Sequence, residues 1–361
     1  MIRAVHLLRP VRENEIGGDL VQLRATVSAL QSEGIDAAVA TREDSPQRAD
    51  IVHLYNLLLP SLLVRDFQWA RQRWPRAQIV ISPIFWPLNM TSILRSGESE
   101  LWLRGCRRAL KARLTWMQCR RVLSHAAAIL PSSANELRRT ARYFHIRDVT
   151  HWHAVPNGIW IDEWPMARGR DDGRSEVLAG LGMTADVRVV VACVARLETR
   201  KNQRALVRAV ARLSDAALIL VGPRPNERRS ERRYADSMLR FAGRALHGRF
   251  AWLGGLDREN VRQVLGQVDV HVLPSFFDIP GLSSLEAAAS GCEIVATREG
   301  SAEEYFGDLA QYAEPYSASS IAAAIERATS GPKQPRLRAR VEQYDWSSAA
   351  RILANVYRTI T

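Results

Sequence analysis

The strongest constraint on this chain is a rhythm that occurs twice. Short apolar runs alternate with amphipathic helical stretches, and a polar stretch separates the two series. In the first series IRAVHLL predicts a buried parallel strand, and residues 19–33 predict a helix with Leu20, Leu23, Val27 and Leu30 at helical spacing, ended by Gly34. The runs AAVAT and DIVHLYNL, a helix over 62–73 and the run AQIVISPIF continue the alternation, and HAAAILP (125–131) and HWHAVP (151–156) predict two short strands around a helix over 135–143. Beyond the polar stretch Ala167–Ser175, read as an interdomain linker, VRVVVACVA, AALILVG, RFAWLGG, VDVHVLPS, CEIVAT and DLAQYAEP predict further strands, with helical stretches between most of them. Strands that alternate with helices build parallel sheets, because a parallel crossover needs a connection of helix length. Two such series in 361 residues predict an α/β protein of two Rossmann-like domains, 1–164 and 165–345, with a last helix over 346–361.

Composition removes several classes of function. A hydrophobic fraction of 47% and a charged fraction of 24% are globular values, which exclude a disordered or collagen-like chain. No run reaches the roughly 18 apolar residues of a membrane-spanning helix. The start, MIRAVHLLRPVREN, meets Pro10 and charge without a small-residue cleavage site, so the expectation is a cytoplasmic protein. Cys106, Cys119, Cys193 and Cys292 lie too far apart for a CxxC motif, and reduced thiols are expected. No His, Asp and Glu group has ligand spacing, so the expected site holds no metal and no cofactor apart from its substrate. Fifty Lys and Arg against 38 acids give +12, which predicts attraction to phosphates. No nucleic-acid motif accompanies that charge, and nucleic acid is not an expected partner.

The most informative segment is PSFFDIPGLSSLEAAASG, residues 274–291. It reads as a strand end, a loop holding Asp278, Pro280 and Gly281, and a helix from near Ser283 to Gly291. Strand, glycine loop and helix aim free backbone amides at a phosphate. Ser283 and Glu286 equally fit a capping box, in which the glutamate only satisfies the helix terminus. A second segment, VACVARLETRKNQRALVRAV, places Arg196, Arg200 and Lys201 just after a strand, where open α/β sheets bind ligands. Such cations suit a diphosphate, or are solvated surface charges.

These segments resemble the GT-B glycosyltransferases of glycosyltransferase family 4. Arg196 followed five residues on by Lys201, and Asp278 followed by Glu286 in a loop-to-helix segment, match the family's motifs. So do Gly17 and Gly18 before the first helix, AVPNGI with Asn157 and Gly158, GSAEEYFGD, and the final Trp346-containing helix. The resemblance implies two Rossmann-like domains facing across a cleft, with the last helix crossing back to the N-terminal, acceptor-side domain. It implies a retaining hexosyltransferase that moves sugar from a nucleoside-diphosphate donor to a hydroxyl of a glycan or lipid-linked acceptor, in polysaccharide or glycolipid biosynthesis. By resemblance Arg196 and Lys201 bind the pyrophosphate, Asp278 the sugar hydroxyls and Glu286 the ribose. Gly281, Leu282 and Ser283 supply amides, and Gly17 and Gly18 close over the phosphates. Asp278 stands where the family usually has Glu, one methylene longer, and no His stands at 82–89, where many members carry one.

Read by itself, the pair Gly17 and Gly18 before a helix is a turn or a phosphate cradle. On the acceptor side the candidates are His53 in DIVHLYN and the aromatics Phe85 and Trp86 in SPIFWPLN, each with a core-packing alternative. Residues 101–123 carry seven Arg or Lys and no acid. Their spacing predicts a helix with Leu103, Leu110, Leu114 and Met117 on one face and Arg104, Arg107, Arg108 and Lys111 largely elsewhere, which either packs as a domain helix or lies on an anionic membrane. The rival to an enzyme is a nucleotide-sugar-binding module without catalysis, favoured only by Asp278 and by the missing His.

Overall fold

The computed structural model of the protein describes residues 1–9, 18–86, 102–164, 178–183, 187–225, 228–279, 281–331 and 335–361. The expected linker Ala167–Ser175, Gly17 and residue 280 lie outside them, as do the side chains of Asp19 and of residues 101–112. The chain divides into two units, Met1–Gly158 with Tyr344–Thr361, and Ile159–Gln343.

The first unit holds a parallel sheet of order β2-β1-β3-β4-β5, formed by β1 (Arg3–Leu7), β2 (Asp36–Ala40), β3 (Ile51–Tyr55), β4 (Gln78–Ser82) and β5 (Ala128–Ile129). Side chains alternate across the sheet, and both faces are apolar. Val5, Val52, Leu54, Ile79 and Ile81 pack with residues of α2 (Pro60–Arg73), α3 (Trp102–Ser124) and α4 (Ala134–Tyr143). Ala4, Ile51, Val80 and Ala128 pack against α1 (Gly18–Ser32) and the last helix, α12 (Trp346–Ile360). A sheet buried on both faces needs nearly continuous apolar strands, which is what its sequence shows. The expected strand at 151–156 does not form. Only Trp152 bridges to Ile129, and the segment continues as irregular chain. Gly158 lies against the backbone of Trp346, where a Cβ would come within 2.8 Å.

The second unit holds a parallel sheet of order β11-β10-β9-β6-β7-β8, built from β6 (Val189–Val194), β7 (Ala216–Val221), β8 (Phe250–Trp252), β9 (Val270–Leu273), β10 (Glu293–Ala296) and β11 (Gln311–Tyr312). Val191, Cys193, Leu218, Leu220, Val270 and Val272 share one face with α5 (Gln203–Val210), α6 (Arg229–Ala245) and α10 (Ala318–Thr329). The alternate residues Val190, Ala192, Ile219 and Ile294 are buried too. Helices α7 (Arg258–Leu265), α8 (Leu282–Ala289), α9 (Ala302–Phe306) and α11 (Pro335–Glu342) complete the unit. Its first residues lie before the expected 164/165 boundary because Trp164 is fully buried beneath the Arg258 and Arg262 guanidiniums.

Candidate active site

Strand order locates the site in the second unit. The sheet reverses its winding between β6 and β9, which are paired neighbours. At such a switch point the loops from the two carboxyl ends run in opposite directions and leave a crevice where ligands of open α/β sheets bind. The loop after β6 carries Arg196, Arg200 and Lys201, and the loop after β9 carries Asp278 and leads into α8 with Glu286. Both sequence segments that pointed to a diphosphate thus flank one crevice.

Polar side chains bind the two loops to each other. Asn202 adopts a left-handed conformation (φ 56°), and its amide nitrogen donates to the carbonyls of Pro274 (3.1 Å) and Pro315 (2.7 Å). Asparagine tolerates this region better than most residues. Phe276 N donates to Arg200 O (3.1 Å), and the Arg200 guanidinium donates to Phe277 O (3.1 Å). Asp278 is held from the other side by a bridge to Gly300, and Ser301 N donates to its carbonyl (3.1 Å). Gly300 has φ +117°, and a Cβ there would fall 1.8 Å from Asp278 O, so only glycine fits.

The loops bring the candidate charges together. Lys201 Nζ lies 2.5 Å from Asp278 Oδ2, which also accepts from Ser275 Oγ at 2.9 Å, and Arg200 stands 3.6 Å from Oδ1. Burial pushes the Asp278 carboxyl up, but the Lys201 and Arg200 charges with the bonds from Lys201 and Ser275 outweigh it and hold it below the usual range. Burial draws Lys201 down from its ordinary value, opposed by Asp278. Arg196 is more open, 44% exposed, and pairs with Glu198 at 3.1 Å. Beneath them His271 of β9 was not singled out by sequence reasoning. Its Nε2 accepts from Val194 N (3.3 Å), which leaves Nδ1–H to face Ser284 Oγ (3.4 Å) on α8. Burial, then Lys201, lowers its pKa to about 3, so the ring is neutral.

Glu286 has two sequence readings, and the helix start decides against one. The N-cap of α8 is Gly281, with no side-chain cap bond, so Ser283 and Glu286 lie two residues too far along the helix for a capping box. The Glu286 carboxylate instead lies 3.9 Å from Arg258, which pairs with Glu163 at 3.2 Å. Burial lifts its pKa to about 7, with Arg258 opposing and Glu163 adding to the rise. Gly281 approaches Leu273 closely, 2.5 Å from where a Cβ would sit. The first-turn amides of α8, from Leu282 onward, open at the crevice end, where a helix favours anions. Among the described residues no three His, Cys, Asp or Glu side chains are placed to hold a metal ion.

In the first unit, Gly18 begins α1 after the switch between β1 and β3, and Gly17 lies outside the described residues. His53 is a core residue. It is 1% exposed, and its ring nitrogens meet Tyr357 OH (2.7 Å) and Ser82 Oγ (2.8 Å). Burial, then His6, lowers its pKa and keeps it neutral, so it anchors α12 rather than meeting an acceptor. Phe85 is likewise buried, between Tyr143 and Phe144, and no face is left for a sugar ring. Trp86 is partly exposed. Phe85 is fixed by Glu136, which sequence reasoning missed. Ser133 caps α4, its Oγ accepting from Glu136 N (3.0 Å), and the buried Glu136 carboxylate accepts from Phe85 N (2.8 Å), Ser132 N (2.6 Å) and Ser132 Oγ (2.8 Å). Of the apolar face expected in α3, only the side chains of Leu114 and Met117 lie among those described. Leu114 and Met117 are 52% and 54% exposed, whereas Cys119, Val122 and Leu123 are buried. No helix of the described residues is long and apolar enough to cross a membrane.

Residues 188–330 match the family model of the glycosyl transferases group 1. The chain is 27% identical over 264 residues to alpha-maltose-1-phosphate synthase of Mycolicibacterium smegmatis, covering 68% of this chain and 66% of that one. It is 26% identical over 325 residues to the GDP-mannose-dependent monoacylated alpha-(1-6)-phosphatidylinositol monomannoside mannosyltransferase of Corynebacterium glutamicum, covering 80% and 78%. Its fold is similar to that of sucrose-phosphate synthase from Thermosynechococcus elongatus, with a TM-score of 0.79 at 19% identity over 100% of this chain and 99% of that one. The chain therefore has the GT-B fold, and residues 188–330 of its second unit are similar to the glycosyl transferases group 1.

Proposed function

We propose that this glycosyltransferase moves a hexosyl group from a nucleoside-diphosphate sugar to an acceptor hydroxyl with retention of configuration, and that its second unit holds the donor. The observation that carries the reading is the meeting, at the β6/β9 switch point, of the loop that carries Arg196 and Lys201 with the loop that carries Asp278 and leads into α8, where Lys201 and Arg200 contact Asp278. Lys201, Arg196 and the amides of Leu282 and Ser283 bind the diphosphate and stabilise the charge it gains as it leaves, a task for donors fixed before the reaction. Asp278, held by Lys201 and Ser275, accepts from sugar hydroxyls, and Glu286 accepts from the ribose. Gly18 gives the start of α1 a surface without a side chain. Retention rests on the family resemblance. The GDP-mannose named for the Corynebacterium relative supports a nucleotide-sugar donor. The test is a transfer and donor-hydrolysis assay over UDP-, ADP- and GDP-sugars. Donor-dependent transfer that fails in Lys201→Ala supports the assignment, and binding without turnover on any acceptor would make the chain a nucleotide-sugar-binding module.

A second reading concerns α3. Leu114 and Met117 are exposed one turn apart beside exposed Arg113, Arg120 and Arg121, a combination that suits an anionic bilayer. A lipid-linked acceptor fits this, as the phosphatidylinositol monomannoside named for the same relative does. Changing Arg113, Arg120 and Arg121 to Glu should abolish sedimentation with phosphatidylglycerol vesicles. Unchanged sedimentation refutes the membrane role.

A further inference from the structure

Glu286 does not stand alone in the second unit. The Arg258 guanidinium, at the first residue of α7, lies 3.9 Å from its carboxylate and 3.2 Å from that of Glu163. The same guanidinium stacks 5.4 Å over the fully buried Trp164 ring, with Arg262 at 5.8 Å. Arg338 of α11 closes the circuit, since its guanidinium donates to Trp164 O at 2.6 Å and also to Ala289 O, at the end of the helix that carries Glu286. Three segments far apart in sequence are thus tied into one ring of contacts around α8.

We propose that Arg258 is a positioning residue of the donor site, which keeps the Glu286 carboxylate charged and aimed while Glu163 and the Trp164 ring hold the guanidinium still. The inference rests on the reading that Glu286 is a donor ligand, and it adds the device that makes a buried carboxylate usable. A carboxylate taken from water is costly unless a cation faces it. A guanidinium that also serves a second carboxylate and a ring loses little freedom when it does so. Apart from the exposed Arg336 of α11, the other ionisable groups on the elements packed against α8 are engaged elsewhere or face away. His271 of β9 faces Ser284 and is neutral, Arg338 of α11 serves the two carbonyls, Arg340 donates to Glu304 O and Tyr305 O, and Glu342 pairs with Arg338. Glu293 of β10 is buried at the opposite end of its strand from the crevice. Burial sets the Glu286 pKa near 7, Arg258 lowers it and Glu163 raises it, so substitutions of the last two push in opposite directions.

The test follows the Glu286 carboxyl carbon by NMR through a titration, assigned by its loss in Glu286→Gln, and measures UDP, ADP and GDP affinity over the same pH range. Glu286→Gln also supplies the baseline for the diphosphate's own titration. Arg258→Gln should move the Glu286 midpoint up, Arg258→Lys should restore part of the shift, and Glu163→Gln should move it down. Diphosphate affinity should follow. A one-unit rise leaves about a tenth of the carboxyl ionised at pH 7 instead of about half, roughly a fivefold loss of binding. A residue that only props the fold would change melting and leave both midpoints in place. Midpoints unmoved in Arg258→Gln and Glu163→Gln overturn the proposal. Diphosphate binding whose pH profile ignores both variants removes the role of Arg258 and leaves the donor site standing, whereas a wild-type protein that binds none of the three diphosphates refutes the donor reading itself, and this role with it.

Discussion

Replacing Glu286 by Gln tests the donor site through stability as well as binding. In the folded chain burial lifts this carboxyl from 4.5 to about 7, with Arg258 opposing. An acid with a raised pKa keeps a proton in the folded chain that the unfolded chain has already lost. Its contribution to stability therefore falls as pH rises from about 4.5 to about 7, and stays low above that. The shift makes the charged form roughly 3 kcal/mol costlier in the folded chain than in the unfolded one. Gln keeps the shape and cannot ionise, so wild type and variant should melt together near pH 5 and separate near pH 8. There the variant should melt higher, by at most about 6–12 °C, given about 2–4 °C per kcal/mol for a domain of this size. Melting curves at the two pH values for both proteins supply the comparison, and any effect common to other titrating groups cancels in the difference. The same substitution should weaken diphosphate binding about tenfold, because a neutral acceptor replaces a charged one. Melting below wild type near pH 8 would show that the charge supports the fold, and unchanged diphosphate affinity would remove Glu286 from the donor site.

The two cations proposed to bind the donor should behave differently from each other. Arg196→Ala removes a half-open side chain paired with Glu198, so calorimetry should show about tenfold weaker diphosphate binding with melting nearly unchanged. Lys201→Ala should lose binding and also melt lower, by the equivalent of about 3–5 kcal/mol, because it strips the closest partner from the enclosed Asp278. Equal melting for the two variants would contradict that contrast. Glu136→Gln should destabilise the first unit by about 1–3 kcal/mol, read by chemical denaturation, since Phe85 N, Ser132 N and Ser132 Oγ all donate to the carboxylate and an amide nitrogen cannot accept. Gly300→Ala should lower melting by at least about 1 kcal/mol and weaken diphosphate binding, because the added methyl collides with the Asp278 carbonyl; a variant with native values for both would refute the tight approach.

The fold was legible because its signal is long and repeated. Each apolar run of the second series appears as a strand, and the helices of α1, α2, α4 and α12 lie within a residue or two of their expected positions. HWHAVP failed for a local reason. Alternating His, Trp and Val resembles a half-buried strand, but here only Trp152 enters the core, and the chain has one bridging partner at Ile129. His53 and Phe85 follow their core-packing alternative for a related reason. His53 lies in the middle of β3 and Phe85 just beyond the end of β4, in a sheet covered on both faces, so neither parity leads to solvent, and position along the strand says nothing about exposure.

The site divides along the same line between local and distant information. Arg196, Lys201, Asp278 and Glu286 belong to two continuous segments whose strand-to-loop-to-helix pattern is readable, but their meeting depends on β6 lying beside β9, and strand order is a matter of pairing, not of sequence. The capping-box reading of Glu286 shows how little shifts the outcome. It required the helix to begin after Ser283, and a start at Leu282 with Gly281 as cap turns the same carboxylate away from the backbone and towards Arg258. Arg258, Glu163 and Trp164 carried no signal at all, since an Arg in a polar stretch and a Glu-Trp pair near an expected domain boundary are ordinary surface residues until the fold stacks one on the other. Charges read singly suggest a phosphate site. Their partners decide which of them are available to a ligand, and that is why Lys201 and Arg196, alike in sequence, should separate so clearly in stability.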